Sequence, residues 1–316
     1  MSETTVPLAR PGASSTNDPW VLILAGGDGT RVRSLTARIA GDARPKQFCA
    51  LIGAQTMLEA TRQRVGLLAR DDRHLVVVTR PHETYYRYLE RELAPGRLVV
   101  QPCNRDTGPG ILYPLLRLAV LAGDVPVAIF PSDHYVSDDA AFVAHVRTAL
   151  AACASRGDII VLLGIEPSSA EREYGWIETL HHPIPTDAGP IERVRRFCEK
   201  PSALEAENLM RRGGLWNTFV MAGRVGSFLE MIASSTPEFM RAFAPLRSAI
   251  DSRREAAAVA RLYAHVPAVS FAASILARSP ERLGAIRVKD VEWSDLGSPE
   301  RIHETLRRTG LSRTGS

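Results

Sequence analysis

Short apolar runs alternate with segments of helical spacing over the first half of the chain. The runs are closed by Gly, Pro or polar residues, as is typical of strands that are buried on both faces of a parallel sheet. The segments between them repeat apolar residues every three to four positions, roughly one turn of helix. The predicted strands span residues 20–27, 74–80, 97–102, 125–134 and 158–165, and the predicted helices span 56–69, 82–93, 110–123 and 138–156.

This alternation predicts an α/β fold with a Rossmann-like, mainly parallel sheet flanked by helices. In such sheets, ligands bind at the carboxyl ends of the strands. Three polar or glycine-rich segments follow predicted strands directly: "AGGDGTR", "PCNRDTGPG" and "PSDH". We therefore expect these segments to form one ligand site.

The pattern changes after residue 165. The segments "YGWIETL" and "IERVRRFCE" predict a pair of strands, and residues 202–264 predict helices with a break at 215–221. Residues 282–302 lead into a short final helix, and no hexapeptide repeat of a C-terminal β-helix is present. We interpret residues 1–18 as a flexible tail, 19–300 as one domain and 301–316 as a short helix and tail.

Composition excludes several classes of protein. The 316 residues include 45% hydrophobic and 23% charged residues, and the net charge of +4 is not concentrated in any basic stripe, which argues against nucleic acid as a partner. The four cysteines form no CxxC pair and are expected to be free thiols. The amino terminus lacks a signal-like apolar core, and no apolar stretch reaches the roughly 18 residues of a membrane span. We expect a cytoplasmic protein without a membrane partner.

Lysine is rare in this chain. Of 39 basic residues, only Lys46, Lys200 and Lys289 are lysines. A lysine retained where arginine is the rule fits a position that requires a compact ammonium instead of a planar guanidinium, although chance is the competing explanation for any one of them.

The loop after the first strand has the composition of an anion site. Gly26, Gly27 and Gly29 allow a ligand to approach the backbone closely, and successive N–H groups in such a turn can form an anion-binding nest. Arg31 adds a permanent charge. The segment is neither a Walker A loop nor GxGxxG, so a plain tight turn stays the alternative.

Two carboxylates are candidate metal ligands. Asp133 follows a buried strand, and Asp295 lies between a tryptophan and a glycine late in the chain. Oxygen ligands of this kind suit Mg²⁺, which commonly bridges protein and phosphate. A helix N-cap is the alternative for Asp133, and a turn aspartate is the alternative for Asp295.

Seven motifs occur in a characteristic order: "LAGGDGTR", "RPKQF", "PSDH", "EYGWIE", "CEKP", "LWN" and "WSDLGS". In combination they resemble the sugar-1-phosphate nucleotidyltransferases, and the mannose-1-phosphate guanylyltransferases in particular. The resemblance covers roughly residues 20–300. It implies a nucleotide-binding part over about 19–165 and a sugar-binding part over about 166–300.

The resemblance also implies roles for individual residues. The catalytic residues would be Arg31, Lys46 and Asp133, and Mg²⁺ would be the cofactor, held by Asp133 and Asp295. The nucleotide would be bound by Gly26, Gly27, Gly29, Thr30, Gln101, Thr107 and Gly108, and the sugar and its phosphate by Gly175, Glu199, Lys200 and Asn217.

The chain departs from the family pattern at four places. Gln101 stands where guanylyltransferases usually have glutamate, and glutamine is more typical of thymidylyl enzymes. Asp106 replaces a neutral amide, and Phe219 replaces the glycine of "WNSG". Asp28 adds a carboxylate beside the predicted phosphate site.

The expected reaction is GTP plus mannose 1-phosphate giving GDP-mannose and pyrophosphate. The sugar phosphate is already ionised at pH 7, so no general base is needed, and catalysis would consist of positioning and charge stabilisation. His134 is expected to support Asp133 from outside the reaction. The alternatives are transfer from dTTP or to another phosphorylated acceptor, such as a heptose or choline phosphate, and a silent nucleotide-binding regulator. A homodimer stays open.

Overall fold

The computed structural model describes residues 18–310, so the predicted tail at 1–18 lies outside them except for its last residue. A central sheet of nine strands has the order β3-β2-β1-β4-β9-β6-β10-β8-β7. The strands are β1 (Trp20–Leu24), β2 (His74–Thr79), β3 (Leu98–Gln101), β4 (Pro126–Pro131), β6 (Ile160–Ile165), β7 (Gly175–Ile184), β8 (Ile191–Glu199), β9 (Leu215–Arg224) and β10 (Leu283–Val288). A separate two-stranded sheet pairs β5 (Tyr135–Val136) with β11 (Trp293–Ser294).

Helices cover both faces of the central sheet. The longest are α5 (Thr107–Ala122) and α6 (Asp139–Ser155), which pack on opposite faces. The helices are α1 (Arg33–Ala40), α2 (Met57–Gly66), α3 (Glu83–Tyr86), α4 (Leu89–Glu92), α5 (Thr107–Ala122), α6 (Asp139–Ser155), α7 (Ala203–Arg211), α8 (Val225–Ser235), α9 (Pro237–Ala242), α10 (Ala244–Arg247), α11 (Glu255–His265), α12 (Phe271–Ser274) and α13 (Pro299–Thr309).

The first strand shows why the apolar runs are continuous. Trp20 and Leu22 belong to the core cluster under α5, α8 and α11, whereas Val21 and Ile23 belong to the cluster under α2 and α6. Side chains alternate between the two faces of a strand, so a strand covered on both faces must be apolar at every position. The predicted α/β fold with a central sheet flanked by helices is confirmed.

The strand arrangement adds detail that the sequence did not predict. Strands β3, β2, β1 and β4 are parallel, but β9 lies antiparallel between β4 and β6. Residues 215–221 were expected to be only a break between helices, and β10 was not predicted. Short apolar runs fit a strand and a buried helical segment equally well, so hydrophobic pattern alone does not distinguish them. The predicted pairing of β7 with β8 is confirmed as antiparallel.

A third, small core joins the two ends of the domain. Val32, Leu35 and Leu51 pack against Leu296 and Ile302. Helix α13 therefore docks beside the glycine loop, and the short sheet of β5 and β11 holds the segment just before it. Within residues 18–310, no helix is long and apolar enough to cross a bilayer.

A buried ion pair fixes helix α11 to α5. The carboxylate of Glu255 accepts hydrogen bonds from Arg117 and from the Tyr113 hydroxyl, the latter at 2.8 Å. Its second oxygen accepts from the backbone N–H of Asp251 at 2.9 Å. Burial raises the pKa of Glu255, but the hydrogen bonds from Arg117 and Tyr113 lower it by more, so the carboxyl stays ionised.

Glu255→Ala should therefore destabilise the fold by about 3–5 kcal/mol, because it leaves the Arg117 charge buried without its partner. Glu238→Ala is the matched control: Glu238 is exposed and lies 3.9 Å from Arg241, so its loss should cost less than about 0.5 kcal/mol. Urea denaturation measures both. Because folding lowers the pKa of Glu255, its contribution to the free energy of unfolding is present above its ordinary pKa of 4.5. That contribution is lost as the pH falls through the pKa of Glu255 in the folded protein. Equal effects of the two substitutions would contradict this account.

Candidate active site

A cavity of about 630 Å³ opens at the carboxyl edge of the parallel strands. Leu24, Gln101 and Pro131, at the ends of β1, β3 and β4, line it. Open α/β sheets bind ligands at this edge. Gly175 on β7 and Asn217 on β9 line the opposite wall, so the cavity lies between the two halves of the sheet.

The glycine loop and the "RPKQF" segment form one unit. The side-chain amide of Gln47 donates to the carbonyl oxygens of Ala25 at 2.9 Å and Gly27 at 2.8 Å. Gly29 has φ of 58°, and a Cβ at that position would lie 3.0 Å from the backbone nitrogen of Lys46. Glycine is needed at residue 29 both for its left-handed backbone and for this close approach.

Lys46 brings three of the predicted motifs together. Its Nζ lies 3.2 Å from Asp133 Oδ2 and donates to the backbone carbonyl of Asp295. The residue is only 7% exposed. A buried ammonium is stable only when it is paired and hydrogen-bonded, and both partners here belong to the predicted metal site.

The carboxylate of Asp295 has several donors of its own. Oδ1 accepts from Arg301 Nη1 at 2.8 Å, from the Gly297 N–H at 2.8 Å and from the Tyr174 hydroxyl at 3.2 Å. Burial raises the pKa of Asp295, but the charges of Lys46 and Arg301 lower it by more. Asp295 therefore accepts from the Gly297 N–H, as the alternative of a turn aspartate requires, and also lines the cavity as an ionised residue.

The two carboxylates fit a Mg²⁺ site that is completed by substrate. Both line the same cavity, and both residues contact the same ammonium. Among residues 18–310, no group of three or more His, Cys, Asp and Glu side chains could hold a metal alone. Mg²⁺ usually takes one or two carboxylates together with substrate phosphates and water. The alternative of Asp133 as a helix cap is not observed, because Asp138 caps α6.

His134 lies beside Asp133 and also lines the cavity. Its Nε2 is 3.5 Å from Asp133 Oδ1, and its ring packs edge-on against Trp293 with the centroids 5.2 Å apart. Burial lowers the pKa of His134 to about 4, so the ring is neutral at pH 7. This agrees with a supporting position beside the carboxylate.

The residues of "RDTGPG" lie on the side of the cavity that is predicted to bind the nucleobase, and they make hydrogen bonds within the protein. Asp106 caps α5 by accepting from the Thr107 N–H at 2.6 Å, which explains a negative charge at this helix N-terminus. The Thr107 hydroxyl accepts from the N–H of Phe271 at 2.8 Å. Gly108 donates its N–H to the Val269 carbonyl at 2.7 Å. Gly108 is therefore engaged behind the cavity wall, whereas Thr107 still lines the cavity.

On the opposite wall, three predicted sugar-binding residues are neighbours. Gly175 pairs with Glu199 across β7 and β8, and a Cβ on Gly175 would lie 2.9 Å from Glu199 Oε2 and 3.5 Å from Asn217 Cβ. Burial raises the pKa of Glu199. Lys200 lines the same wall and is exposed. Carboxylate, amide and ammonium groups converge there around a glycine, an arrangement suited to a polyhydroxylated phosphate ester.

Strained backbone is concentrated around the cavity. Asp106, Lys200 and Phe219 line it with φ of 67°, 48° and 61°, and Leu296 beside Asp295 has φ of 49°. Left-handed conformations of bulky residues are costly and occur where the surrounding structure imposes them, most often at functional sites. Phe219 thus occupies a backbone conformation that a glycine would adopt without strain.

The cavity includes most of the predicted residues. Lys46 and Arg31 are not among the lining residues but contact residues that are. Lys46 contacts Asp133 and Asp295, and Arg31 pairs with Glu173 at 3.1 Å. Gly29 and Thr30 continue the loop outside the lining. Residues that the sequence analysis did not assign to the site include Asn104, Glu173, Tyr174 and Ser270; the motif "EYGWIE" contains two of them. The predicted residues that line the cavity are Gly26, Gly27, Gln101, Thr107, Asp133, Gly175, Glu199, Lys200, Asn217 and Asp295.

A glycine loop, a buried ammonium and two carboxylates at the edge of an α/β sheet define an α/β protein with a cavity suited to phosphorylated ligands. The family described as nucleotidyl transferase matches residues 20–310, and the chain belongs to this family. Similar solved structures include one described as mannose-1-phosphate geranyltransferase from Thermus thermophilus, at 28% identity and a TM-score of 0.74 over 89% of this chain and 76% of that one.

Two curated relatives extend the comparison. The xanthan biosynthesis protein XanB of Xanthomonas campestris pv. campestris is 29% identical over 293 residues, covering 89% of this chain. A mannose-1-phosphate guanylyltransferase of Klebsiella pneumoniae is 25% identical over 281 residues, covering 88% of this chain. The chain spans 58% of the length of each of these relatives.

The two loop glycines predict different responses to a methyl group. A Cβ on Gly26 would lie 2.8 Å from Gln101 Nε2, whereas a Cβ on Gly27 would meet nothing within 4 Å. Gly26→Ala should cost about 1–3 kcal/mol of unfolding free energy through overpacking, and Gly27→Ala should leave it unchanged. Gly27→Ala should nevertheless weaken binding of a nucleoside triphosphate if the loop backbone approaches the phosphates. Unchanged affinity in a stable Gly27→Ala variant would exclude that approach.

Proposed function

We propose that this protein transfers a nucleotidyl group from a nucleoside triphosphate to a sugar 1-phosphate, with GTP and mannose 1-phosphate giving GDP-mannose and pyrophosphate. The observation that carries the proposal is the contact of the Lys46 ammonium with the Asp133 carboxylate and with the backbone carbonyl of Asp295. It places a fixed positive charge beside two acidic residues that line the cavity together with the glycine loop and the predicted sugar-binding residues.

Two walls of the cavity suit two different substrates. The glycine loop offers backbone N–H groups to a triphosphate, and Gln101 lies deeper on the same side. Glu199 can accept two sugar hydroxyls, and Asn217 presents its amide nitrogen because its Oδ1 already accepts from the Phe219 N–H at 3.2 Å. Lys200 can neutralise the sugar phosphate. This supports binding of the two substrates side by side.

The chemistry follows from charge and position. An ionised oxygen of the sugar phosphate attacks the α-phosphorus, a new P–O bond forms, and the bond to the departing pyrophosphate breaks. Lys46 stabilises the negative charge that develops on the oxygens around the α-phosphorus. When bound by Asp133 and Asp295, Mg²⁺ would supply further charge neutralisation for the phosphates. The neutral ring of His134 packs beside the Asp133 carboxylate, with its Nε2 3.5 Å from Oδ1.

The direct test is pyrophosphate release, measured over GTP, dTTP, ATP, CTP and UTP with a panel of sugar 1-phosphates. GTP with mannose 1-phosphate should give the highest kcat/KM. Release with none of the combinations, from a protein that still binds a nucleoside triphosphate, would favour a regulatory binding protein over an enzyme. A higher rate with another acceptor would correct the sugar assignment.

The three lysines provide a matched set of conservative substitutions. Lys46 is buried against two acidic residues, so the longer, planar group in Lys46→Arg should lower kcat by about 10²-fold, the scale of one misplaced transition-state donor. Lys200→Arg should mainly raise the KM for the sugar phosphate. Lys289 is exposed and does not line the cavity, and Lys289→Arg should leave both constants unchanged. Similar small effects from all three would remove Lys46 from the reaction.

A further inference from the structure

Gln101 is held by a single buried hydroxyl. It ends β3 and is 4% exposed, and its Oε1 accepts a hydrogen bond from the Tyr263 hydroxyl at 2.8 Å. Its Nε2 borders the cavity next to Gly26 and has no hydrogen-bond partner within residues 18–310. One end of the amide is thus used inside the protein, and the other end is available to a ligand.

The hydrogen-bond network assigns the orientation of this amide. The Tyr263 hydroxyl has one proton to donate, and the next acceptor, the Pro109 carbonyl, is 3.5 Å away. If the amide were reversed, its nitrogen would donate to the hydroxyl and the hydroxyl would have only this long contact. Burial also raises the pKa of Tyr263, which keeps the hydroxyl protonated and able to donate. The oxygen of Gln101 therefore faces Tyr263.

Tyr263 is itself fixed by its surroundings. It is 1% exposed on α11, whose first residue Glu255 is paired with Arg117 and Tyr113 of α5. The carbonyl of Tyr263 accepts from Arg105 Nη2 at 3.1 Å. The position of the hydroxyl is consequently set by the packing of two helices and does not depend on any ligand.

We propose that Tyr263 is a positioning residue that presents the NH₂ group of Gln101 to the base pocket, so that the site recognises a nucleobase through a ring carbonyl oxygen. The inference rests on the proposed function and specifies how its nucleotide is selected. For guanine the acceptor is O6, and for thymine it is a ring carbonyl. The NH₂ group of Gln101 can only donate, so it cannot form a hydrogen bond with the 2-amino group of guanine, which is itself a donor.

Inosine triphosphate tests this directly, because it differs from GTP only in lacking the 2-amino group. We expect the wild-type protein to bind the two nucleotides with equilibrium Kd values within about threefold, less than the loss of one hydrogen bond. In Gln101→Glu, the side chain offers only acceptors. That variant should prefer GTP over inosine triphosphate by about tenfold or more, the value of one hydrogen bond to a charged group.

Tyr263→Phe tests the positioning role with a readout that a merely structural residue would not affect. Without the hydroxyl, the Gln101 amide can rotate and offer its oxygen to the 2-amino group, so the preference for GTP over inosine triphosphate should rise by about threefold or more, a fraction of one hydrogen bond. Tyr86→Phe is the matched control. It removes the hydroxyl of another buried tyrosine, which packs in the core on the other face of the sheet and does not line the cavity, and it should keep the wild-type ratio.

A wild-type preference for GTP over inosine triphosphate of about tenfold or more, one full hydrogen bond, would overturn the inference, as would an unchanged ratio in Tyr263→Phe. If the protein binds dTTP and no purine nucleotide, the comparison is with 2-thio- and 4-thio-dTTP. One of these should bind more weakly than dTTP, and equal binding of all three would overturn the inference.

Binding of triphosphates with no pyrophosphate release from any sugar 1-phosphate contradicts the proposed function alone, whereas absence of nucleotide binding contradicts both the proposed function and this inference.

Discussion

The ammonium of Lys46 is the interaction on which the site depends. It is buried, pairs with the Asp133 carboxylate and donates a hydrogen bond to the backbone carbonyl of Asp295. A buried cation without partners would be strongly destabilising, so the three segments that meet there must be assembled together. Three parts of the fold place these groups. Asp133 follows the end of β4, and Asp295 follows β11, which pairs with β5. Lys46 is placed by the hydrogen bonds of its neighbour Gln47 to the glycine loop.

The second carboxylate shows how the end of the chain contributes. Helix α13 packs on α1 through apolar residues and thereby brings Arg301 to Asp295. Arg301 also lies over the ring of Tyr174, 4.4 Å from its centroid, and pairs with Glu171 at 3.1 Å. Asp295 is thus ionised before any ligand arrives. The electrostatics of the cavity therefore depend on the packing of a helix that does not line it.

Much of this could be predicted from the sequence, for identifiable physical reasons. Strands buried on both faces have a continuous apolar pattern, so β1, β2, β4 and β6 were predictable, and motifs placed after such strands had to share one sheet edge. Strand β9 was not predictable, because its neighbours in the sheet are set by tertiary pairing. Tyr263 and Arg301 also could not be found, because each lies on a helix whose docking brings it against a residue that lines the cavity, Gln101 or Asp295.

Phe219 shows that the chain retains strain where a simpler residue would avoid it. Its φ of 61° would suit glycine, and a bulky residue in this conformation costs about 1–2 kcal/mol. The ring packs against the core cluster under α5, and burial of apolar area on this scale can offset such a cost. The same residue lines the cavity two positions from Asn217 and holds the Asn217 side-chain oxygen with its N–H. The backbone that carries the strain is thus the backbone that orients the amide on the predicted sugar wall.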